Sequence, residues 1–239
     1  MYYATPWTPD PHFQSYFRPL NDYPVYPIRS NYGQSNYNPY AQPVVPFLRY
    51  ESVSPQKSAC ISSAEVELNQ AFRTLWEQHV AWTRMLIISI AESLSDEALV
   101  TKRLLRNPPD MANVFKHYYG EEIATRFSGL FREHLVLAAQ LVKAAKAGNS
   151  RAAAEAEKNW YANADEIAAF LNSINPNWPK ADLRNMLHEH LRMTKDQAVF
   201  RLSKKYKSDI ATYDQIEKQA LEMADAFTNG IVKQFPNHF

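Results

Sequence analysis

Three histidines interrupt helix faces that otherwise carry apolar side chains: His79, His134 and His190. Each has apolar neighbours three or four residues away on both sides, which is the spacing of one face of an α-helix. Imidazole is the commonest metal ligand in proteins, and helical bundles hold metals and haem between facing helices. Three such residues on three helices therefore predict a transition-metal or haem site in the interior.

Two other interpretations of these histidines stay open. Glu133 and Glu189 directly precede His134 and His190, about 100° away around a helix, so a glutamate and its histidine cannot both face inward. The Glu-x-x-His pattern of di-iron bundles and the Cys-x-x-Cys-His haem attachment are both missing from the sequence. Each histidine could instead be a buried group hydrogen-bonded to a tyrosine, threonine or carboxylate. Acid–base catalysis by an imidazole is the third interpretation.

An arginine on the first long helix predicts a second polar site. Arg84 follows Trp82 closely, and a buried arginine needs an anionic partner because an unpaired interior charge is too costly. Asp165, Asp214 and Glu217 on later helices are the candidate partners, and an anionic ligand is the alternative. The predicted buried pocket comprises Trp82, Arg84, Trp160, Asp165, Asp214 and Glu217.

The elements that must position these residues are helices. From residue 62 onward apolar residues recur at helical spacing, and glycine and proline occur mainly where helices should end. We expect helices over 63–93, 95–105, 111–119, 121–147, 151–174, 180–206 and 208–234, with a loop at 106–110. Short loops between long helices favour antiparallel neighbours. The sequence thus predicts an all-α fold over residues 61–239: an antiparallel helical bundle of four long core helices, a C-terminal helix and short connecting helices.

Residues 1–60 differ in composition from the rest. The first 50 residues contain nine of the fifteen prolines and nine of the fourteen tyrosines, with repeated asparagine. Proline prevents regular helix and central strand here, so we expect a disordered N-terminal tail rich in tyrosine, proline and asparagine. Its exposed rings suit stacking on other chains, which predicts docking or self-association; a dispensable tail is the alternative.

Two stretches suggest an internal repeat: FREHLVLAAQLV from Phe131 and LHEHLRMTKDQA from Leu187. Both place Glu-His-Leu on a helix, and each follows a helix that carries a tryptophan, Trp82 or Trp160. We expect two related hairpins in which His134 and His190 are equivalent. In this register Arg84 and Asp165 become near counterparts that could pair across the core.

Composition and motifs exclude several classes of function. The net charge of +1 gives no field that would attract nucleic acid. No apolar run is long enough to span a bilayer, and the N-terminus lacks the features of a secretory signal, so we expect a location in the cytoplasm. The lone Cys60 cannot form an internal disulfide. Phosphate loops and the common hydrolase motifs are absent.

Several segments resemble a small all-helical family from spore-forming Firmicutes. They include LWEQHVAWTRMLI, RLLRNPPDMANVFKHYYG, HLVLAAQLVKAAKAGN and the terminal GIVKQFP. Members often carry the label acetylglutamate kinase, yet that activity needs an α/β sandwich with glycine-rich turns around ATP, and neither is present here. The resemblance implies a bacillus-like source and supplies no catalytic residues. We expect a non-enzymatic bundle protein of a spore or envelope layer that assembles through its tail; a metal- or haem-binding bundle is the alternative, and a kinase is the least consistent with the sequence.

Overall fold

A computed structural model describes residues 61–239 of the protein, and these residues are helical almost throughout. The expected tail lies outside the described residues. The part of the chain that is described contains no strand, which confirms the all-α prediction. Its elements are α1 (Ser63–Glu92), α2 (Glu97–Leu104), α3 (Asn107–Lys146), α4 (Ser150–Ile174), α5 (Lys180–Leu202), α6 (Tyr206–Gln234) and a short 3-10 helix (Pro236–His238).

Local capping explains where several helices begin. The Ser62 hydroxyl accepts a hydrogen bond from the backbone N–H of Glu65, and the Asn149 side chain does the same for Ala152 at the start of α4. Such side chains satisfy N–H groups that have no partner within the helix. The predicted helix boundaries agree with the observed ones to within a few residues for α1, α2, α4, α5 and α6.

The predicted loop at 106–110 is wrong. Helix α3 begins at Asn107, and Pro108 and Pro109 occupy its first turn. Proline is tolerated there because the first N–H groups of a helix have no intrahelical acceptor. The two helices expected over 111–119 and 121–147 are the two segments of α3. They meet at Gly120, whose φ of 81° interrupts the helical backbone.

Three helical hairpins follow one another along the chain: α1 with α2 and the start of α3, the rest of α3 with α4, and α5 with α6. Their turns share one geometry. Ser93, Gly148 and Lys204 have φ of 56°, 68° and 59°, and each donates its N–H to the carbonyl three residues earlier. In each turn the next N–H bonds the carbonyl five residues before it. Gly148 follows Ser93 by 55 residues, and Lys204 follows Gly148 by 56, so the turns mark a threefold repeat.

The observed repeat differs from the predicted one in which helices pair to form each hairpin. His134 and His190 are equivalent, as expected, since they are 56 residues apart. However, each Glu-His-Leu helix is the first helix of its hairpin rather than the second. Helix α1 supplies a third copy, in which His79 precedes His134 by 55 residues, so Trp82 and Trp160 are not counterparts.

Equivalent positions of the three hairpins build the main core. Phe72 contacts Phe115 and Phe227 edge-on, with ring centroids 5.9 and 5.7 Å apart, and Phe115 stacks on Phe127 at 4.3 Å. Burying each of these rings contributes roughly 2–3 kcal/mol. Helix α6 packs on α1, which brings the last hairpin against the first. The histidines lie in this core, each seven residues, or about two helical turns, after Phe72, Phe127 or Leu183 on the same helix.

Candidate functional site

The three predicted histidines all lie in the core, each at most 3% exposed. The rings of His79 and His190 have centroids 5.7 Å apart, and Phe131 lies 5.3 Å from His79. On its other side Phe131 stacks on His134, with 5.9 Å between ring centroids. These residues form what we call the histidine layer, which combines one histidine from each hairpin.

In the second hairpin, both ring nitrogens of His134 are engaged. Nδ1 donates to Oδ1 of Asn163 at 2.9 Å, and Nε2 accepts from the indole N–H of Trp160 at 3.2 Å. The roles follow from Asn163, whose Nδ2 donates to the Leu130 carbonyl at 3.2 Å, which leaves Oδ1 as the acceptor. A side-chain amide of α4 thus joins the histidine to the carbonyl four residues before it. We call this arrangement the amide bracket.

The third hairpin repeats the amide bracket with a different residue. His190 Nδ1 lies 3.1 Å from Oε1 of Gln219 on α6. Gln219 Nε2 donates to the carbonyl of Met186, again four residues before the histidine, at 3.0 Å. Glutamine therefore does on α6 what asparagine does on α4.

The first hairpin contains an open form of the amide bracket. Asn107 Nδ2 donates to the carbonyl of Leu75, four residues before His79, at 2.9 Å. Asn107 Oδ1 and His79 Nδ1 are both buried without a hydrogen-bond partner. Asn107 nevertheless opposes the lowering of the His79 pKa. The three hairpins therefore share one histidine–amide arrangement, closed in two and open in the first.

Burial keeps all three imidazoles neutral. Loss of solvation is the main cause in each case; it lowers the pKa of His134 to about 3 and that of His190 to about 4. It also lowers the pKa of His79 well below its ordinary value, and the neighbouring His190 and His134 act in the same direction. Neutral imidazoles suit the amide bracket, in which one ring nitrogen donates and the other carries a lone pair.

The structure does not assemble the predicted three-histidine ligand set. A metal needs a ring nitrogen with a free lone pair, and His134 has none because Nε2 accepts from Trp160. Residues 61–239 contain no group of three or more His, Cys, Asp or Glu side chains placed to hold a metal ion. The interpretation as hydrogen-bonded core groups fits His134 and His190, although their partners are amides and an indole rather than the expected tyrosine, threonine or carboxylate. His79 is equally buried, but its Nδ1 has no hydrogen-bond partner.

The predicted partners of Arg84 are wrong. Arg84 forms a two-pronged ion pair with Asp209, with distances of 2.7 and 3.3 Å, and its guanidinium lies 4.7 Å above the Tyr213 ring. Asp209 is 1% exposed and also faces Arg201, at 3.6 Å, and Gln197, which donates at 3.3 Å. The carboxylate thus joins α1, α5 and the start of α6.

The other predicted pocket residues do not converge. Asp165 is 43% exposed and pairs with Arg184 and His188 on the surface rather than with Arg84. Trp160 is buried beside His134, Trp82 packs on Arg103, Asp214 is exposed and Glu217 is half-buried. One signal could have identified Asp209, because it lies seven residues before Ile216 on the buried face of α6. Its neighbour Ile210, which hydrophobicity alone would place in that stripe, is instead 55% exposed.

Next to the histidine layer lies an apolar cavity that the sequence did not predict. It encloses about 380 Å³, counting its open mouth, and we call it the inner cavity. Thr83, Ala138 and Thr194 line it, each four residues after the histidine of its hairpin. Both threonine Oγ1 atoms are buried without a hydrogen-bond partner. The remaining lining is Leu86, Ile87, Ile90, Leu104, Leu135, Ala139, Leu141, Val142, Trp160 and Lys195.

Comparison of the chain with protein-family models, with curated proteins and with solved structures gave no match. The described helices include none that is long and apolar enough to cross a membrane.

Proposed function

We propose that this protein is a non-enzymatic structural or interaction protein: a pre-organised bundle of three helical hairpins that assembles through residues 1–60. The observation that carries the proposal is the amide bracket. The polar residues that chemistry would most readily use, His134 and His190, are joined instead to the second helix of their own hairpin. Their hydrogen bonds hold helices together, which is a structural task.

The buried ion pair supports the same proposal. Arg84 and Asp209 connect α1 to α6, and therefore connect the first hairpin to the third. Buried polar networks that are fully satisfied fix one arrangement of a core, although they add little net stability. A bundle fixed in this way is a suitable rigid body for displaying an adhesive segment.

The tail supplies the association in this proposal. Its tyrosines, prolines and asparagines favour contacts between chains over an independent core. The resemblance to a family of spore-forming Firmicutes supports a spore or envelope layer as the location. Acetylglutamate kinase activity is not part of the proposal, because an amino-acid kinase needs an α/β sandwich and residues 61–239 are helical.

Sedimentation of the full-length protein tests the proposal. We expect concentration-dependent oligomers that also bind isolated spore or envelope fractions. Replacing Tyr32, Tyr37 and Tyr40 by serine should dissociate the oligomers and reduce this binding, because the serine side chains cannot stack. The matched control replaces the same three residues by phenylalanine, which keeps the rings and should preserve assembly.

Circular dichroism of each variant checks that the bundle stays folded. If the full-length protein and a variant lacking 1–60 are equally monomeric and bind the same fractions, the assembly role is refuted. Assembly that survives in all tail variants would place the association surface on the bundle instead.

A further inference from the structure

We propose that the inner cavity and the adjoining space beneath α2 form one binding site for a small, neutral, unbranched aliphatic molecule with a single hydroxyl or carbonyl group. The inference does not depend on the assembly role of the tail. It rests on two unpartnered hydroxyls, the absence of a free charge beside them and an adjoining cavity that shares four apolar lining residues.

The two hydroxyls of the inner cavity differ from those of two other helical threonines, Thr101 and Thr228. Thr101 and Thr228 each donate to the carbonyl four residues earlier, at 2.8 and 3.0 Å. Thr83 and Thr194 make no such bond although their Oγ1 atoms are buried, and Thr194 is 5% exposed. A buried hydroxyl without a hydrogen-bond partner is unfavourable. A ligand that brings one polar atom into the inner cavity would form the missing hydrogen bond.

The surroundings of these hydroxyls favour a neutral ligand. The one charged residue of the lining, Lys195, is paired with Glu157 at 2.6 Å. The indole N–H of Trp160 is engaged by His134, so Trp160 offers the cavity only its ring. An anion would lose its solvation here without gaining a countercharge. An alcohol or ketone carries no charge and can replace its lost hydrogen bond to water with one to a threonine hydroxyl.

A second cavity lies between α2 and α3, against four of the side chains that line the inner cavity. This outer cavity encloses about 490 Å³, its open mouth included, and shares Leu86, Leu104, Leu135 and Ala139 with the inner cavity. Apart from the space open to solvent at its mouth, the inner cavity has room for little more than one water molecule. Only the polar end of a ligand fits there, so the chain of the ligand lies in the outer cavity, and an unbranched chain passes the four shared side chains more easily than a ring or a branched molecule.

Helix α2 lines the outer cavity and is the element that can move outward when a ligand enters. In the second and third hairpins the second helix is continuous, with 25 residues in α4 and 29 in α6. In the first hairpin it is divided, so that α2 is only 8 residues long and is separated from α3 at Leu105 and Arg106. A short segment with breaks at both ends can shift outward at little cost to the rest of the core.

Titration of the full-length protein with 1-hexanol, using hexane as the comparison probe, tests the site. We expect 1-hexanol to raise the melting temperature and to shift NMR signals of the inner cavity. The Thr83→Val/Thr194→Val double variant keeps the shape of both side chains and removes both hydroxyls. It should weaken 1-hexanol binding about tenfold and leave hexane binding within about twofold.

Two further variants keep the test decisive. Thr212→Val, on the half-buried face of α6 and away from both cavities, should leave 1-hexanol binding unchanged. Ala139→Phe, at a partly exposed position shared by both cavities, should block binding of either probe. A cavity that holds only an ordered water would show no response to 1-hexanol, and this result would overturn the proposal, as would equal 1-hexanol affinity in the double variant.

Discussion

Asn163 and Gln219 play the same role in successive hairpins. Each lies 29 residues after a buried histidine, accepts a hydrogen bond from the Nδ1 of that histidine and donates to the carbonyl one helical turn earlier. The two residues are 56 positions apart, which is the offset of the hairpin turns. The bracket therefore belongs to the repeated unit and is not a local coincidence.

Removal of one side-chain amide should show how much the amide bracket contributes to the free energy of unfolding. Asn163→Ala leaves His134 Nδ1–H buried without a partner and removes the second hydrogen bond of the Leu130 carbonyl, so we expect the free energy of unfolding to fall by about 1–3 kcal/mol. Urea unfolding followed by circular dichroism measures this change. Asn113→Ala, an exposed asparagine on α3, is the matched control and should change it by less than about 0.5 kcal/mol. Equal changes in the free energy of unfolding for the two variants would show that the amide bracket does not stabilise the fold.

The helices could be predicted from the sequence, whereas the repeat could be predicted only in part. Helical periodicity and the breaks at Gly148 and at 175–179 suffice for the boundaries, because they depend on local preferences. The repeat is concealed because equivalent positions carry different residues. Gly148 corresponds to Lys204, a lysine with the positive φ that glycine normally adopts, and Asn163 corresponds to Gln219.

The partner of Arg84 was not predicted because several acidic residues of α6 were comparable candidates, and the seven-residue spacing from Asp209 to Ile216 does not by itself establish that Asp209 is buried. Only the packing of α6 on α1 and α5 decides that Asp209 is buried and Asp214 is exposed. The inner cavity could not be predicted from the sequence either, because a cavity depends on how the three hairpins pack together and not on the apolar residues of any one helix face. Sequence periodicity predicts which face of a helix is buried, but only the tertiary structure shows which residues that face contacts.

Breaking the buried ion pair should be far more costly than breaking an exposed one. Asp209→Asn leaves the Arg84 guanidinium without its carboxylate, whereas Arg201 keeps Glu92 at 3.1 Å, so we expect a loss of about 3–5 kcal/mol in the free energy of unfolding from the unpaired Arg84. Asp225→Asn removes the exposed partner of Arg73 and should cost no more than about 1 kcal/mol. Urea unfolding of both variants at low and moderate salt checks this. A comparable loss in both would contradict the interior role of Asp209.

Acid should destabilise the protein before most carboxylates titrate. The unfolded histidines bind a proton near pH 6.5, but folded His134 and His190 stay neutral down to about pH 3 and 4. Between these values the unfolded state holds more protons, so stability is fully present above pH 6.5 and is lost as the pH falls. Each buried histidine contributes a slope of up to about 1.4 kcal/mol per pH unit.

Two measurements check the pH dependence. Urea unfolding between about pH 7 and 5 should show a steady decline, in a range where most carboxylates remain ionised. NMR of the imidazole protons should show three histidines that keep neutral shifts across the same range. If any of the three titrates near pH 6.5 in the folded protein, its burial in the histidine layer is wrong.

Two glycines within helices should respond in opposite directions to alanine. A Cβ added at Gly230 would lie 1.9 Å from Nε1 of Trp178, a buried indole that donates to the Ala226 carbonyl at 3.0 Å. Because Trp178 is only 2% exposed and cannot move away freely, Gly230→Ala should lower the free energy of unfolding by about 2–3 kcal/mol. A Cβ at Gly129 meets nothing within 4 Å, so Gly129→Ala should stabilise α3 by up to about 1 kcal/mol through helix propensity alone. Urea unfolding of the two variants, together with Trp fluorescence for the Trp178 environment, measures both effects. Stabilisation by Gly230→Ala would mean that Trp178 does not lie against α6.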